Sequence, residues 1–287
     1  MRWLFYEPEV IERPRPEIMR HMFAGANLAL IINRQTKPTY NHVFFTEYIF
    51  DFHILETAHA NPYLYPIYVY SSAEKVKAGD RRPNLSPEFV ESFLAAVGAG
   101  ALENSPEVGQ RSGSREVLYP EDIFYYIYGV LHSPTYRERY AEFLKLDFPR
   151  IPFPKDYESF DRLAAAGRRL AELHLLKDKD RWRWQGIEQR GDAKEAVVGK
   201  VEYDEKNEEI IFDAKKPPDE RYRIGPVPKH IWEFHVGGYQ VLSKWLKDRK
   251  GRKVAPGDYV AIIIALTETD RIMKEDCDPA FREMLGL

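Results

Sequence analysis

The stretch Pro120-Glu121-Asp122-Ile123-Phe124-Tyr125-Tyr126-Ile127-Tyr128-Gly129-Val130-Leu131-His132-Ser133-Pro134-Thr135-Tyr136 decides how the first half of the chain is built. Pro120 followed by Glu121 and Asp122 is a helix start: a ring that presets φ where no N–H is needed, then carboxylates against the positive end of the helix dipole. Ile123, Tyr126, Ile127, Val130 and Leu131 follow at helical spacing. Ser133-Pro134 ends that helix and launches a second through Tyr136, Tyr140, Phe143 and Leu144, because proline cannot continue a helix but fits its first turn. The spacing predicts a helical hairpin.

On the amino-terminal side, the apolar runs between Asn27 and Tyr70 are short, β-branched and aromatic: Leu28 to Ile32, His42 to Phe45, Tyr48 to Ile54 and Tyr63 to Tyr70. These read as strands. Ser86-Pro87-Glu88 then caps a helix carrying Phe89, Val90, Phe93 and Leu94. On the carboxy-terminal side, Phe148-Pro149-Arg150-Ile151-Pro152-Phe153-Pro154 must be extended. Asp156 caps a helix of about 20 residues with Phe160, Leu163, Ala164, Leu170, Leu173 and Leu176 on one face and Arg162, Arg168, Arg169 and Glu172 on the other. Beyond it, Val197 to Tyr203 and Glu209 to Phe212 flank a turn, and Ile231 to Val236 alternates as a strand. Gly237-Gly238 turns into a helix over Tyr239 to Lys247, and a last helix runs from Asp258 through Met273. The expected fold is α+β: a β-rich part with the helical hairpin over 1–155, a linker helix over 156–180, and a smaller α+β module with a basic helix end over 181–287.

A length of 287 residues fits about two domains. Forty-two Lys and Arg against forty-five Asp and Glu leave a net charge of -3, which excludes a whole-surface polyanion binder and restricts any nucleic-acid site to a local patch. The single cysteine, Cys277, excludes an internal disulfide or a cysteine-rich zinc site, so a reducing, cytoplasmic setting is expected. Apolar stretches such as Val260 to Leu266 fall far short of the roughly 20 residues of a membrane helix, and no signal core opens the chain; no membrane partner is expected. Met1 to Tyr6 begins on apolar and aromatic residues, as a strand cut from a longer chain would; a natural strand start is the other reading.

Common catalytic motifs are missing: no Gly-Lys-Ser/Thr phosphate loop, no Gly-x-Gly-x-x-Gly turn, no His-Glu-x-x-His pair and no Gly-x-Ser-x-Gly elbow. Asn61-Pro62-Tyr63 is similar to the Asn-Pro-Pro-Tyr loop of amino-methyltransferases but lacks one proline and a glycine-rich strand before it, so a plain turn is the better reading. Asp204, Glu209, Asp213 and Lys215 have the composition of a metal-dependent nuclease site. Eight acidic and three basic residues between Glu202 and Glu220 fit a solvated hairpin better. His53, His59, His132, His174 and His235 lie mostly within apolar runs, as packed or tyrosine-bonded histidines do. No catalytic or metal-binding residue is assigned.

Two kinds of patch remain. Lys244, Lys247, Arg249, Lys250, Arg252 and Lys253 stand against Asp248 alone, a local charge of +5 at a helix end. They suit the helix dipole and, equally, the phosphates of a duplex. Trp182-Arg183-Trp184, flanked by Lys177, Lys179, Arg181 and Arg190, is a strand with inward Trp rings or a nucleic-acid contact. Arg34, Gln35 and Asn41, after the Leu28 to Ile32 strand, and Arg82 in Arg81-Arg82-Pro83-Asn84, are of the types that pair with base edges, although such loops are usually ordinary connections.

Several strings together resemble one family: Arg2-Trp3-Leu4-Phe5-Tyr6-Glu7, Arg13-Pro14-Arg15-Pro16-Glu17-Ile18-Met19-Arg20-His21, Arg34-Gln35, Leu131-His132-Ser133-Pro134-Thr135-Tyr136-Arg137, Phe148-Pro149-Arg150-Ile151-Pro152 and Gly237-Gly238-Tyr239-Gln240-Val241-Leu242-Ser243-Lys244-Trp245-Leu246-Lys247. They are similar to the carboxy-terminal target-recognition domain of type ISP restriction-modification enzymes, over nearly the whole chain. The resemblance implies a domain that holds double-stranded DNA against methyltransferase and translocase modules of the same polypeptide and chooses the sequence for adenine-N6 methylation and restriction. It implies no cofactor in this chain, with S-adenosylmethionine, ATP and Mg on upstream modules, and a family segment that begins a few residues before Arg2. No family motif fixes the base-reading residues. Chemistry assigns phosphates to Lys244, Lys247, Arg249, Lys250, Arg252 and Lys253, and bases to Arg34, Gln35, Asn41 and Arg82. The competing readings are a nuclease or methyltransferase fragment with its own activity, and a module that docks on protein.

Overall fold

The computed structural model describes residues 15–35, 40, 43–50, 62–71, 81–177 and 186–287. Two compact units emerge: Met1–Leu175 with Ile272–Leu287, and Leu176–Arg271. The expected 181–287 module therefore loses its last residues to the first unit. The reason is local: Asp278 accepts hydrogen bonds from Ser133 Oγ (2.8 Å), the Thr135 amide (2.6 Å) and Thr135 Oγ1 (3.1 Å), which ties the end of the chain to the Ser133-Pro134 corner.

In the first unit, helix α1 (Pro16–Phe23) precedes strand β1 (Ala29–Asn33), which lies antiparallel between β2 (Val43–Thr46) and β3 (Pro62–Pro66). Met22 of α1 packs with Ala29, Ile31 and Leu64. The Tyr63 to Tyr70 run is two strands, because Pro66 cannot donate to a ladder and Asn27 takes over as partner. Its side chain accepts from the Tyr68 amide (3.2 Å) and donates to the Tyr68 carbonyl (2.8 Å). The second piece, β4 (Tyr68–Tyr70), pairs with β5 (Arg81–Pro83). Residues 48–50 of the expected Tyr48 to Ile54 strand are irregular, and 51–54 lie outside the described residues, as do Met1 to Tyr6.

Helix α2 (Pro87–Val97) starts as expected, with Ser86 Oγ accepting from the Phe89 amide at 3.2 Å, and ends on Gly98 at φ +63°. Short parallel strands β6 (Ala101–Leu102) and β7 (Val117–Leu118) lead into α3 (Pro120–His132). The second hairpin helix is bent at Tyr140 into α4 (Pro134–Arg139) and α5 (Ala141–Leu144). The principal partner of α3 is α6 (Tyr157–His174), capped by Asp156, whose Oδ1 accepts from the Ser159 amide at 2.9 Å. A Cβ built on Gly167 would lie 1.9 Å from the Tyr125 carbonyl oxygen, and one on Gly129 would lie 2.4 Å from that of Leu163, so the two backbones touch. The helix expected as a linker is thereby sealed into the first unit. The proline-rich segment crosses this core without regular structure, held by Tyr126 Oη donating to the Pro152 carbonyl (2.8 Å) and Tyr136 Oη to that of Arg150 (2.9 Å).

The second unit is built on an antiparallel sheet in the order β8 (Glu188–Arg190), β11 (Arg223–Gly225), β10 (Glu209–Ile211), β9 (Glu202–Asp204). Ile210, Phe212, Tyr222 and Ile224 bury its inner face with Tyr259 and Ile263. Where Ile231 to Val236 alternates as a strand, Lys229–Trp232 instead forms α7, because Pro228 presets the first turn and its carbonyl accepts from the Ile231 and Trp232 amides (2.9 and 3.0 Å). Only β12 (His235–Val236) remains extended; it pairs across Gly237-Gly238 with β13 (Tyr239–Gln240), and α8 (Val241–Lys247) follows. Helix α9 (Pro256–Ile272) leads through a π turn over Met273–Cys277 to α10 (Asp278–Met284).

Gly167→Ala is expected to destabilise the chain by about 3 kcal/mol or more in urea unfolding, because its methyl group meets a carbonyl oxygen with no room to shift. Gly257→Ala, in open space in the first turn of α9, is the neutral or stabilising control.

Candidate nucleic-acid interface

Arg34 and Gln35 follow directly on Asn33, the last residue of β1, which is paired with Pro62 at the start of β3. A turn 113 residues later braces them. Arg34 Nε donates to Asp147 Oδ1 at 2.8 Å, and Gln35 Nε2 donates to the Leu146 carbonyl at 2.8 Å. The Arg34 guanidinium lies 5.9 Å from the Phe148 ring centroid, and Phe148 in turn meets Tyr63 edge-on at 4.9 Å. Both charged partners are exposed, and the bond to Asp147 raises the affinity of Arg34 for its proton while lowering that of Asp147. Phe143 and Leu146, each 67% exposed, flank this edge.

Arg82 stands apart from this pair: it is exposed on β5, opposite Val69 of β4, beyond the other end of β3. Its neighbour Arg81 turns inward over the Tyr68 ring and donates to the Ser105 carbonyl. Asn41 and Trp182-Arg183-Trp184 lie outside the described residues.

The basic set in the second unit is not uniform. Lys244 Nζ is bound to both oxygens of Asp248 at 2.6 Å, which neutralises it locally. Arg249 lies 3.8 Å over the Trp245 ring and donates to the Trp245 carbonyl at 3.0 Å, capping the end of α8. Lys247, Lys250, Arg252 and Lys253 are exposed and have no carboxylate partner among the described residues. Lys247 ends α8, and the loop carrying the other three is pinned from below: the Gly251 amide donates to the Val198 carbonyl (2.7 Å) and the Val198 amide to that of Arg252 (3.1 Å). Four exposed cations thus stand together, Lys247 at the end of α8 and Lys250, Arg252 and Lys253 in the loop after it, a local concentration of charge of the kind that attracts a polyanion. Lys244 and Arg249 are already engaged with the helix they stand on.

The acidic residues weighed as a nuclease site serve the backbone separately. Asp204 accepts from the Asn207 side chain (2.8 Å), Asp213 from the Lys200 and Lys215 amides (3.0 and 3.1 Å), and Glu209 pairs with Arg190 at 2.9 Å. Hydrogen bonds from those amides and side chains hold Asp204 and Asp213 below the usual carboxylate range. Among the described residues no group of three or more His, Cys, Asp or Glu side chains is placed to hold a metal ion, and no helix is long and apolar enough to cross a membrane. His132 and His174 pack around Tyr128, whose Oη lies 2.5 Å from His174 Nδ1, as tyrosine-bonded core histidines do. Burial pushes His174 down to about 4, holds His132 low as well and pushes the Cys277 thiol up to about 12. His235 is exposed, with Nδ1 2.6 Å from the Glu233 carbonyl, and His53, His59 and Asn61 lie outside the described residues.

The model of the Type ISP C-terminal specificity domain matches residues 1–275. The chain belongs to this family. Three solved structures share its fold. A nuclease-deletion mutant of the Type ISP restriction-modification enzyme LlaGI, in complex with a DNA substrate mimic, is 23% identical with a TM-score of 0.56. The ATP-dependent Type ISP enzyme LlaBIII bound to DNA is 18% identical (0.62), and the DrdV–DNA complex is 22% identical (0.60). Each match covers 88% of this chain but 21%, 16% and 25% of the other, so the specificity domain spans about a fifth of those chains. No curated protein matches. The α+β architecture expected from the sequence is that of Type ISP specificity domains.

The braces escape any local reading of the sequence: Asp147 is far from Arg34 in the chain. Those of α8 carry a signal, since Lys244 with Asp248 and Trp245 with Arg249 are i,i+4 pairs. In an NMR titration the His174 ring is expected to stay neutral from pH 7.5 to about pH 4. A lowered folded value means that its contribution to stability is complete above pH 6.5 and is lost as pH falls toward 4, so protonation near 6.5 in the folded chain contradicts this packing.

Proposed function

We propose that the chain recognises double-stranded DNA by sequence, as the specificity domain of a Type ISP restriction-modification polypeptide, and so positions DNA for adenine-N6 methylation and restriction by other modules. The observation that carries this reading is the family match over residues 1–275. The described geometry supports it. Lys247 at the end of α8 and Lys250, Arg252 and Lys253 in the pinned loop after it stand exposed and displace counterions from phosphates, which gives affinity without sequence information. Lys244 and Arg249 join them at the helix end as weaker contributors, one neutralised and the other stacked.

Base reading falls to Arg34 and Gln35, which offer donors and an acceptor at a strand end; Asn41, a candidate from the sequence alone, is of the same chemical type, and Arg82 makes a separate contact from β5. The chain is a recognition module rather than a catalyst on its own. S-adenosylmethionine, ATP and Mg belong to the methyltransferase and translocase modules, and the setting is the cytoplasm.

The test is binding of labelled duplex at several salt concentrations. Replacing Lys247, Lys250, Arg252 and Lys253 by Gln is expected to weaken all duplexes alike and to flatten the log-log salt slope by about 3 to 4. Unchanged affinity and slope overturn the phosphate assignment.

A further inference from the structure

An arginine that reads guanine must present two parallel N–H groups to O6 and N7, and a long flexible side chain does so only when something fixes the plane of its guanidinium. Arg34 is fixed from the side that leaves this pair free. Its Nε is taken by Asp147 Oδ1 at 2.8 Å, its plane lies near the Phe148 ring, and neither Nη has a partner among the described residues. The turn that provides these contacts is itself held: the Asp147 amide donates to the Phe143 carbonyl at 3.1 Å, and Phe148 is wedged between Tyr63 and Tyr65 of β3. Gln35 is treated in the same way. One Nε2 proton goes to the Leu146 carbonyl, which leaves its second proton and Oε1 for a base edge. The 146–148 turn therefore orients both side chains with their recognition edges outward.

We propose that Asp147 is a specificity-determining residue of the domain: it does not touch DNA, but holds Arg34 by Nε so that the two Nη groups meet one guanine of the target. Its carboxylate has a second effect. Placed beside Arg34, it repels backbone phosphate and so disfavours the unspecific contact that a free arginine makes readily. The inference rests on the proposed DNA recognition and adds to it which residue sets the choice of base.

The experiment selects duplexes from a randomised pool with the 287-residue chain and its variants, and scores preference position by position. The wild type is expected to enrich a sequence containing at least one guanine whose preference Arg34→Ala removes. Asp147→Ala is expected to lower preference at that same guanine by about tenfold while total DNA affinity holds or rises. Asp147→Asn keeps an oxygen for Nε and is expected to retain the preference, which separates orientation from loss of charge. Asp147 is exposed, so the melting temperature of both variants should match the wild type. If Asp147→Ala retains full guanine preference while Arg34→Ala loses it, Arg34 needs no positioning residue and the proposal falls alone. If the wild type binds duplex but Arg34→Ala loses no preference, the base assignment falls with it. If the wild type binds no duplex at all, the functional reading itself is overturned.

Discussion

The first unit depends on one close approach: α3 and α6 meet backbone to backbone at Gly129 and Gly167, where no side chain fits between the Tyr125 and Leu163 carbonyls and the facing helix. With the helices this near, α3 is buried along almost its whole length, and every polar group on it must find a partner inside the protein. Its first turn shows the consequence. Glu121 accepts from Tyr68 Oη, Ser105 Oγ and the Gly109 amide, while Asp122 accepts from Arg111 and from the Ser112 and Tyr119 amides. Burial pushes Glu121 upward against those bonds. Two helix-starting carboxylates thus organise the loop over residues 105–112 and anchor β4, and the bent α4 and α5 carry the chain on to the turn that braces Arg34.

Charge is distributed by task rather than by composition. A chain with net charge -3 has little long-range pull on a polyanion, so local arrangement must make the difference. In the second unit, four exposed cations without a carboxylate partner among the described residues stand at the end of α8 and in the loop that backbone bonds fix to 196–198. In the first, Arg34, the arginine proposed to read a base, is matched with the carboxylate of Asp147. That contrast fits a division between affinity and choice: phosphate contacts gain from free, mobile charge, whereas base contacts gain from fixed orientation.

Much of the fold is legible in the sequence because its signals are local. Pro120-Glu121-Asp122, Ser86-Pro87 and Asp156 each start the helix they announce, and the hairpin across Asp204 to Asn207 forms where expected. What escapes is long-range. The amphipathic pattern of α6 does not say that Gly167 seats it against Gly129, so it reads as a linker while it is the second half of a core. Ile231 to Val236 alternates, yet Pro228 starts a helical turn there, because a proline-set first turn outweighs a pattern of only a few residues. The candidate site divides in the same way: exposed cations beside a helix end can be read from composition, but that Asp147 reaches Arg34 and that Arg82 stands apart follow only from the sheet topology.

Hydrogen–deuterium exchange of the chain with a selected duplex and with a scrambled one tests whether the domain separates gripping DNA from choosing its sequence. Protection of residues 247–253 by both duplexes, and of 34–35 and 146–148 by the selected duplex alone, is the predicted result. Equal protection of all these segments by both duplexes, or of none by either, contradicts it.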